Sequence, residues 1–325
     1  MVVASSLLTL SAASAHAKDL AALIGTARPL TGPQSAYGQD AANSVVMAVK
    51  TLNAQHAEVD GRPVLWQIGA EDDQADPKQA TVAAQKFVDE KVNGAVGHLD
   101  SGCTDPASRI YDQAGIPDIT PSSTDPKIAQ LGFNTFFRML ANDNAIGAGL
   151  AQYAAHTLHL KTVAVVDDGT AYGQGFAKVF AADAKKDGMR VVALHQRPCH
   201  GLHGHTYQDQ GRPPALIFYG GTYTQDGPML RQRQQLGVES RFLGGDGICT
   251  SELAKLQGSA VDGTNCAEGH AGGTRVEDAL RPRVRRQRLP TVLVLRLRRH
   301  PGAGARHDEG QVGRSQGLSA LHPQH

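Results

Sequence analysis

The sequence has almost no net charge, few cysteines and no long apolar run, and each shortage removes a class of function. Its 32 basic residues are balanced by 31 acidic ones, a formal charge of +1 over 325 residues. Such a balance lacks the basic excess that nucleic acid or an anionic membrane surface selects for. A small molecule is therefore the expected partner, with no nucleic acid. Beyond the first seventeen residues no stretch reaches the roughly eighteen consecutive apolar residues of a membrane-spanning helix. No Ser/His/Asp or Cys/His set stands in a catalytic motif, so the chain is read as a non-enzyme. Gly173-Gln174-Gly175 has the opening spacing of a dinucleotide loop. It lacks the third glycine and the acid that such a loop needs, so it is read as a turn and no cofactor is expected.

What is present begins with MVVASSLLTLSAASAHA, an apolar run too short to cross a bilayer that ends in Ala15-His16-Ala17, a small-x-small cleavage pattern. Residues 1–17 are read as a signal peptide cut after Ala17. The run has no basic n-region, which places the expected start codon upstream of Met1. Export leads to the periplasm, where disulfides persist. Of the four cysteines, Cys249 and Cys266 flank a short helical segment and are a disulfide candidate, with Cys103 and Cys199 as competing partners.

The length suits two domains. From Lys18 to about Leu194 the pattern is strand, turn, helix, repeated, which predicts α/β architecture with parallel sheets covered on both faces. Strands are expected at 21–25, 64–68, 94–99, 136–140, 162–167, 191–194 and 215–219. Val45, Val49 and Leu52 make an i, i+4, i+7 helical stripe after the first strand. Asp76-Pro77 starts another helix, with an acceptor at the N-cap and proline where its missing N–H costs nothing. Further helices are expected from near Pro106 and after Gly175. The fold class is two doubly wound parallel-sheet lobes joined by a hinge, the first over 18–140 and the second over 141–269, with an aberrant C-terminal part.

Eight blocks stand in order along the chain: PLTGPQSAYGQD (29–40), DDQADPKQA (72–80), GHLDSGCTDPAS (97–108), ITPSSTDP (119–126), DDGTAYGQG (167–175), FYGG (218–221), GPMLRQ (227–232) and GGDGICTSE (244–252). Together they resemble the leucine/isoleucine/valine-binding family of type I periplasmic receptors, which serve ABC importers. The resemblance implies a monomeric receptor that holds an amino acid such as leucine, isoleucine or valine between its lobes and docks on a membrane permease. Under it Ser101 and Thr124 bind the ligand carboxylate through hydroxyls, helped by helix N-termini. Ser122 contributes a backbone contact. Asp246 faces the ammonium, where relatives often carry glutamate. Tyr37, Tyr172 and Leu99 wall the pocket. Thr222 stands where branched-chain binders carry an aromatic, which implies a wider or more polar pocket. Receptors for short-chain amides or urea in the same fold are the alternative.

Two segments break the pattern. Residues 195–214 are His-rich where a helix is required between strands. Cys199, His200, His203 and His205 are metal-ligand types whose crowding matches no standard zinc spacing, so no metal is expected. Shifting the codons of His203 to Gln210 by one nucleotide can spell Met-Ala-Ile-Leu-Thr-Lys-Ile-Lys, the missing amphipathic helix. Residues 270–325 hold eleven arginines and no lysine, against ten and eleven in residues 1–269. Shifting the codons of Val292 to Arg299 allows Tyr-Ser-Ser-Tyr-Ala-Tyr-Asp-Ala, similar to a segment of those receptors. Both segments are read as frameshifted, which makes a non-functional product a further alternative.

Overall fold

A computed structural model of the chain describes residues 20–196, 212–270 and 291–296. The expected signal peptide, Cys199, and most of 195–214 and 270–325 lie outside the described residues.

The first sheet runs in the order β2-β3-β1-β4-β5-β6. Its strands are β1 (Leu20–Arg28), β2 (Glu58–Val59), β3 (Arg62–Asp72), β4 (Gly94–Val96), β5 (Asp118–Thr120) and β6 (Phe136–Arg138). Helix α1 (Ser35–Ala54) leads from β1 towards β3, while α2 (Pro77–Asp89) and α3 (Ser101–Ala114) make the next two crossovers. β1 pairs in parallel with both β3 and β4. The order therefore reverses at β1/β4, and a crevice opens there at the carboxyl ends of the strands. Phe87, Tyr111, Ala83, Ala84 and Ala107 from α2 and α3 pack with Ala27 and Ala95 of the sheet.

The second sheet runs β12-β11-β10-β9-β7-β8. It contains β7 (Thr162–Asp167), β8 (Arg190–Gln196), β9 (Leu216–Gly220), β10 (Arg241–Gly244), β11 (Thr264–His270) and β12 (Thr291–Arg296). All pairs are parallel except the edge pair β11/β12. Helices α4 (Asp143–Gln152), α5 (Ala171–Lys186), α6 (Tyr223–Gln235) and α7 (Ser251–Gln257) complete this unit. Its order reverses at β7/β9. Phe176, Phe180 and Phe218 are fully buried in it, and Phe180 stacks on Phe218 with ring centroids 3.6 Å apart.

Two helix starts differ from the sequence expectation. Helix α3 begins at Ser101, so Pro106 lies inside it. The Asp100 carbonyl already accepts the N–H groups of Cys103 and Thr104 at 3.0 and 2.9 Å, and these bonds set the start. Pro106 forgoes only the bond it would have donated to the carbonyl of Gly102. Helix α5 begins at Ala171, where the Thr170 side chain accepts from the N–H of Gly173 at 3.0 Å. The glycines at 173 and 175 are thus helical rather than a turn. A Cβ at Gly173 would stand 2.2 Å from an Asp168 carboxylate oxygen and 2.6 Å from the Gly220 carbonyl, so glycine is what lets α5 approach the strand ends.

Candidate functional site

The carboxyl ends of the two sheets face one cavity of about 230 Å³. From the first sheet come the loop after β1, the start of α1, the turn into α3 and the loop after β5. From the second come the start of α5, Thr222 and the segment after β10. Tyr37, Leu99, Ser101, Ser122, Thr124, Tyr172, Thr222 and Asp246 all line it. The structure brings together every ligand-contact residue inferred from the sequence.

The loop after β1 is shaped by one carboxylate. Asp72 Oδ1 accepts the N–H groups of Leu30 at 2.8 Å and Thr31 at 3.4 Å, and Oδ2 accepts the Thr31 hydroxyl at 2.5 Å. Partial burial works against this carboxylate, but the hydrogen bonds from the Thr31 hydroxyl and the backbone N–H groups of Gln74, Leu30 and Thr31 hold it below its usual range. α1 then leaves tightly against the loop: a Cβ at Gly38 would lie 1.8 Å from the Pro29 carbonyl oxygen. That approach presents Gln34 and Tyr37 to the cavity.

At the hydroxyl end, Ser101 is the first residue of α3 and is buried together with Thr124. Ser101 Oγ accepts the Asp125 N–H at 3.3 Å. Arg138 holds the loop that carries Ser122 and Thr124, donating from Nε to the Ser123 carbonyl at 2.7 Å and from Nη2 to the Asp125 carbonyl at 2.5 Å. The Thr120 hydroxyl accepts the N–H groups of Ser122 and Ser123 at 3.3 and 2.9 Å. Beneath the turn, His98 joins Asp73 at 2.6 Å and the Tyr111 hydroxyl at 3.2 Å, all buried. Two hydroxyls on clamped backbone, one at a helix N-terminus, form an anion-accepting end.

At the acidic end, Asp246 begins a 3₁₀ turn after β10. Its Oδ1 accepts the Tyr172 hydroxyl at 2.7 Å and the Gly247 N–H at 3.1 Å. Burial first, then the negative charges of Asp246 and Asp143, push the Tyr172 phenol well above its usual value, so it stays a donor. Asp143 lies nearby, fully buried, with its carboxyl against the Thr124 side chain. Burial, then repulsion from Asp246, raises its carboxyl to about 8. Cys249, which also lines the cavity, is disulfide-bonded to Cys266 on β11, with Cα atoms 5.5 Å apart. Cys103 is buried and unbonded.

Aromatic side chains join the two sides. Tyr37 reaches the carbonyls of Asp246 and Gly247 at 3.5 and 3.3 Å. Tyr223 donates to the Pro33 carbonyl at 3.1 Å and meets Tyr37 edge-on, ring centroids 4.8 Å apart. Tyr223 was missed from the sequence. It stands one residue after Thr222, the position that lacks the expected aromatic. Gln34, Asp40, Ala41, Asp100 and Gly247 also line the cavity without having been singled out. Among the described residues no His/Cys/Asp/Glu cluster suits a metal ion, and no helix is long and apolar enough to cross a membrane.

Two doubly wound sheets with a cavity between their carboxyl ends, carrying hydroxyls at one end and an acid at the other, define a bilobal small-molecule receptor. A family model for periplasmic binding proteins matches residues 23–280. The chain belongs to that family. An amino acid binding protein of Pseudomonas aeruginosa is 33% identical over 240 residues, 73% of this chain and 63% of that protein. A leucine-, isoleucine-, valine-, threonine- and alanine-binding protein of the same organism is 31% identical, covering 74% of this chain and 64% of its own length. The chain therefore spans somewhat less than two-thirds of these curated relatives. A crystal structure of a leucine binding protein from Thermotoga maritima superposes with a TM-score of 0.65 at 26% identity, covering 80% of this chain and 72% of that one. The isoleucine complex of a branched-chain amino acid transporter substrate-binding protein from Streptococcus pneumoniae has a TM-score of 0.66 at 24% identity, covering 76% and 70%; it supports the type I periplasmic binding fold.

Proposed function

We propose that the protein is the substrate-binding component of an ABC importer for an α-amino acid. Branched-chain and other small apolar amino acids are the first candidates. The observation that carries this reading is the convergence of all eight inferred contact residues on one cavity. Ser101 and Thr124 receive the carboxylate, Ser122 adds a backbone contact and Asp246 receives the ammonium. Tyr37, Leu99, Tyr172 and Thr222 bound the side chain. Binding, not chemistry, is the task. Residues 18–140 and 141–269 act as lobes that close by hinge bending, and the closed monomer docks on a membrane permease in the periplasm after removal of residues 1–17. The names of the curated relatives support the ligand class. Composition supports reading 195–214 and 270–325 as frameshifted.

Calorimetry on the purified chain with leucine, isoleucine, valine and acetamide tests the proposal. Saturable binding of an amino acid, weakened at least about tenfold in Asp246→Asn, is expected. Binding of acetamide alone would favour the amide-receptor alternative, and binding of none of the four would sink both and leave the non-functional product.

A further inference from the structure

Two acceptors in the cavity are not used by the assignments above. Gln34 and Asp100 both line it, one from the loop after β1 and the other from the turn that starts α3. The Gln34 side chain lies beside the Asp100 carboxyl, and Gln34 Oε1 and Asp100 Oδ2 are both buried with no hydrogen-bond partner. Asp100 is the N-cap of α3 but its side chain makes no capping bond, so helix capping does not account for it. A buried acceptor without a donor costs free energy, and two that line one binding cavity leave a demand that a ligand group can meet. Both belong to the first sheet's loops, whereas Asp246 belongs to the second's.

We infer that Gln34 and Asp100 form a side-chain subsite that selects a ligand whose side chain ends in a nitrogen carrying at least two N–H bonds, an amide or an ammonium. This rests on the amino-acid reading and changes only the side chain: the ligand resembles leucine in size and shape but presents donors where leucine has methyl groups. An –NH₂ or –NH₃⁺ group has one hydrogen for Gln34 Oε1 and another for Asp100 Oδ2. A branched apolar side chain would leave both oxygens desolvated and unpaired, which is the situation in which polar sites discriminate most strongly. Burial raises the Asp100 carboxyl to about 6, so at neutral pH it is mainly an anion short of hydrogen bonds.

The test is a near-isosteric series, leucine, asparagine and 2,4-diaminobutyrate, titrated calorimetrically into the full chain at pH 7.5. Asparagine or diaminobutyrate is expected to bind about tenfold or more tightly than leucine. In Asp100→Ala and in Gln34→Leu, that ratio should fall towards one. Asp100→Ala removes no capping bond, and the comparison in the unmutated chain stands without either variant. Leucine binding as tightly as both nitrogen ligands would overturn the subsite while leaving the amino-acid reading intact. Failure of all three to bind would overturn the subsite, and the amino-acid reading falls with it only if isoleucine and valine fail as well.

Discussion

The two sheets are built from the same strand–helix repeat but are covered unequally. In the second, β9 is buried along its whole length and β7 everywhere except Thr162, as a parallel sheet with both faces packed requires. In the first, Val64 is the one fully buried residue of β3. The α2/α3 face of the first sheet is closed by Phe87 and Tyr111. On its other face Ile24, Ile68 and Ile119 are only partly buried, and Phe137 on the adjacent edge strand is 52% exposed. Met47 on α1 is 69% exposed as well. The difference shows that, among the described residues, strand order and crossover helices form the first sheet without giving it the apolar cover that the second has. The cavity nevertheless draws on both units, because it sits at the carboxyl ends of the strands and not on their faces.

The largest effect that would sharpen this contrast is Phe180→Ala. It removes a ring stacked on Phe218 in the well-packed unit and should cost about 3–5 kcal/mol in denaturant unfolding. Opening the Cys249–Cys266 bond, whose partners are 17 residues apart, by Cys266→Ser should cost about 2–4 kcal/mol in the same assay. Next comes a pH effect. Burial, then the charge of Asp246, raises the Asp143 carboxyl from its ordinary value of 3.8 to about 8 in the folded state. The folded state therefore holds its proton through a window where the unfolded state has lost it. The stabilisation from this group is present in full below about pH 4, declines as pH rises, and is gone above about 8. The slope from one such proton is at most about 1.4 kcal/mol per pH unit, and unfolding of Asp143→Asn should depend less on pH between 5 and 8. For Asp118 in the first sheet, burial raises the carboxyl to about 6 against a hydrogen bond from Ser108, so its decline ends nearer pH 6. Tyr172→Phe, which deletes the hydroxyl bonded to Asp246, should weaken amino-acid binding by about 1.5–3 kcal/mol, measured by calorimetry. Smallest is Phe137→Ser on the open face, expected to change stability by no more than about 0.5 kcal/mol. A large loss there would mean that the face is covered after all.

Much of the site was legible because its residues sit in short blocks with local reasons to exist. The Asp76 carboxylate that accepts from the N–H groups of Lys78 and Gln79 was readable from Asp76-Pro77 alone. Ser101, Thr124, Tyr172 and Asp246 were readable because their blocks occur together and in order. Pro106 misled the reading, since proline marks helix starts more often than helix interiors. Asp143, Tyr223, Gln34 and Asp100 were not legible, since nothing in their spacing distinguishes them from ordinary cap and turn residues.

The sequence by itself determined the alternation of strands and helices, the family and the polar groups available for a ligand, because these depend on periodicity and on short contiguous motifs. Only the tertiary structure decided, among the described residues, which groups lack partners in the cavity and which sheet face is left without apolar cover. Both depend on how segments far apart in the chain desolvate one another. Asp100 and Gln34 are 66 positions apart in sequence, and their unmet oxygens exist only where the loops after β1 and β4 meet.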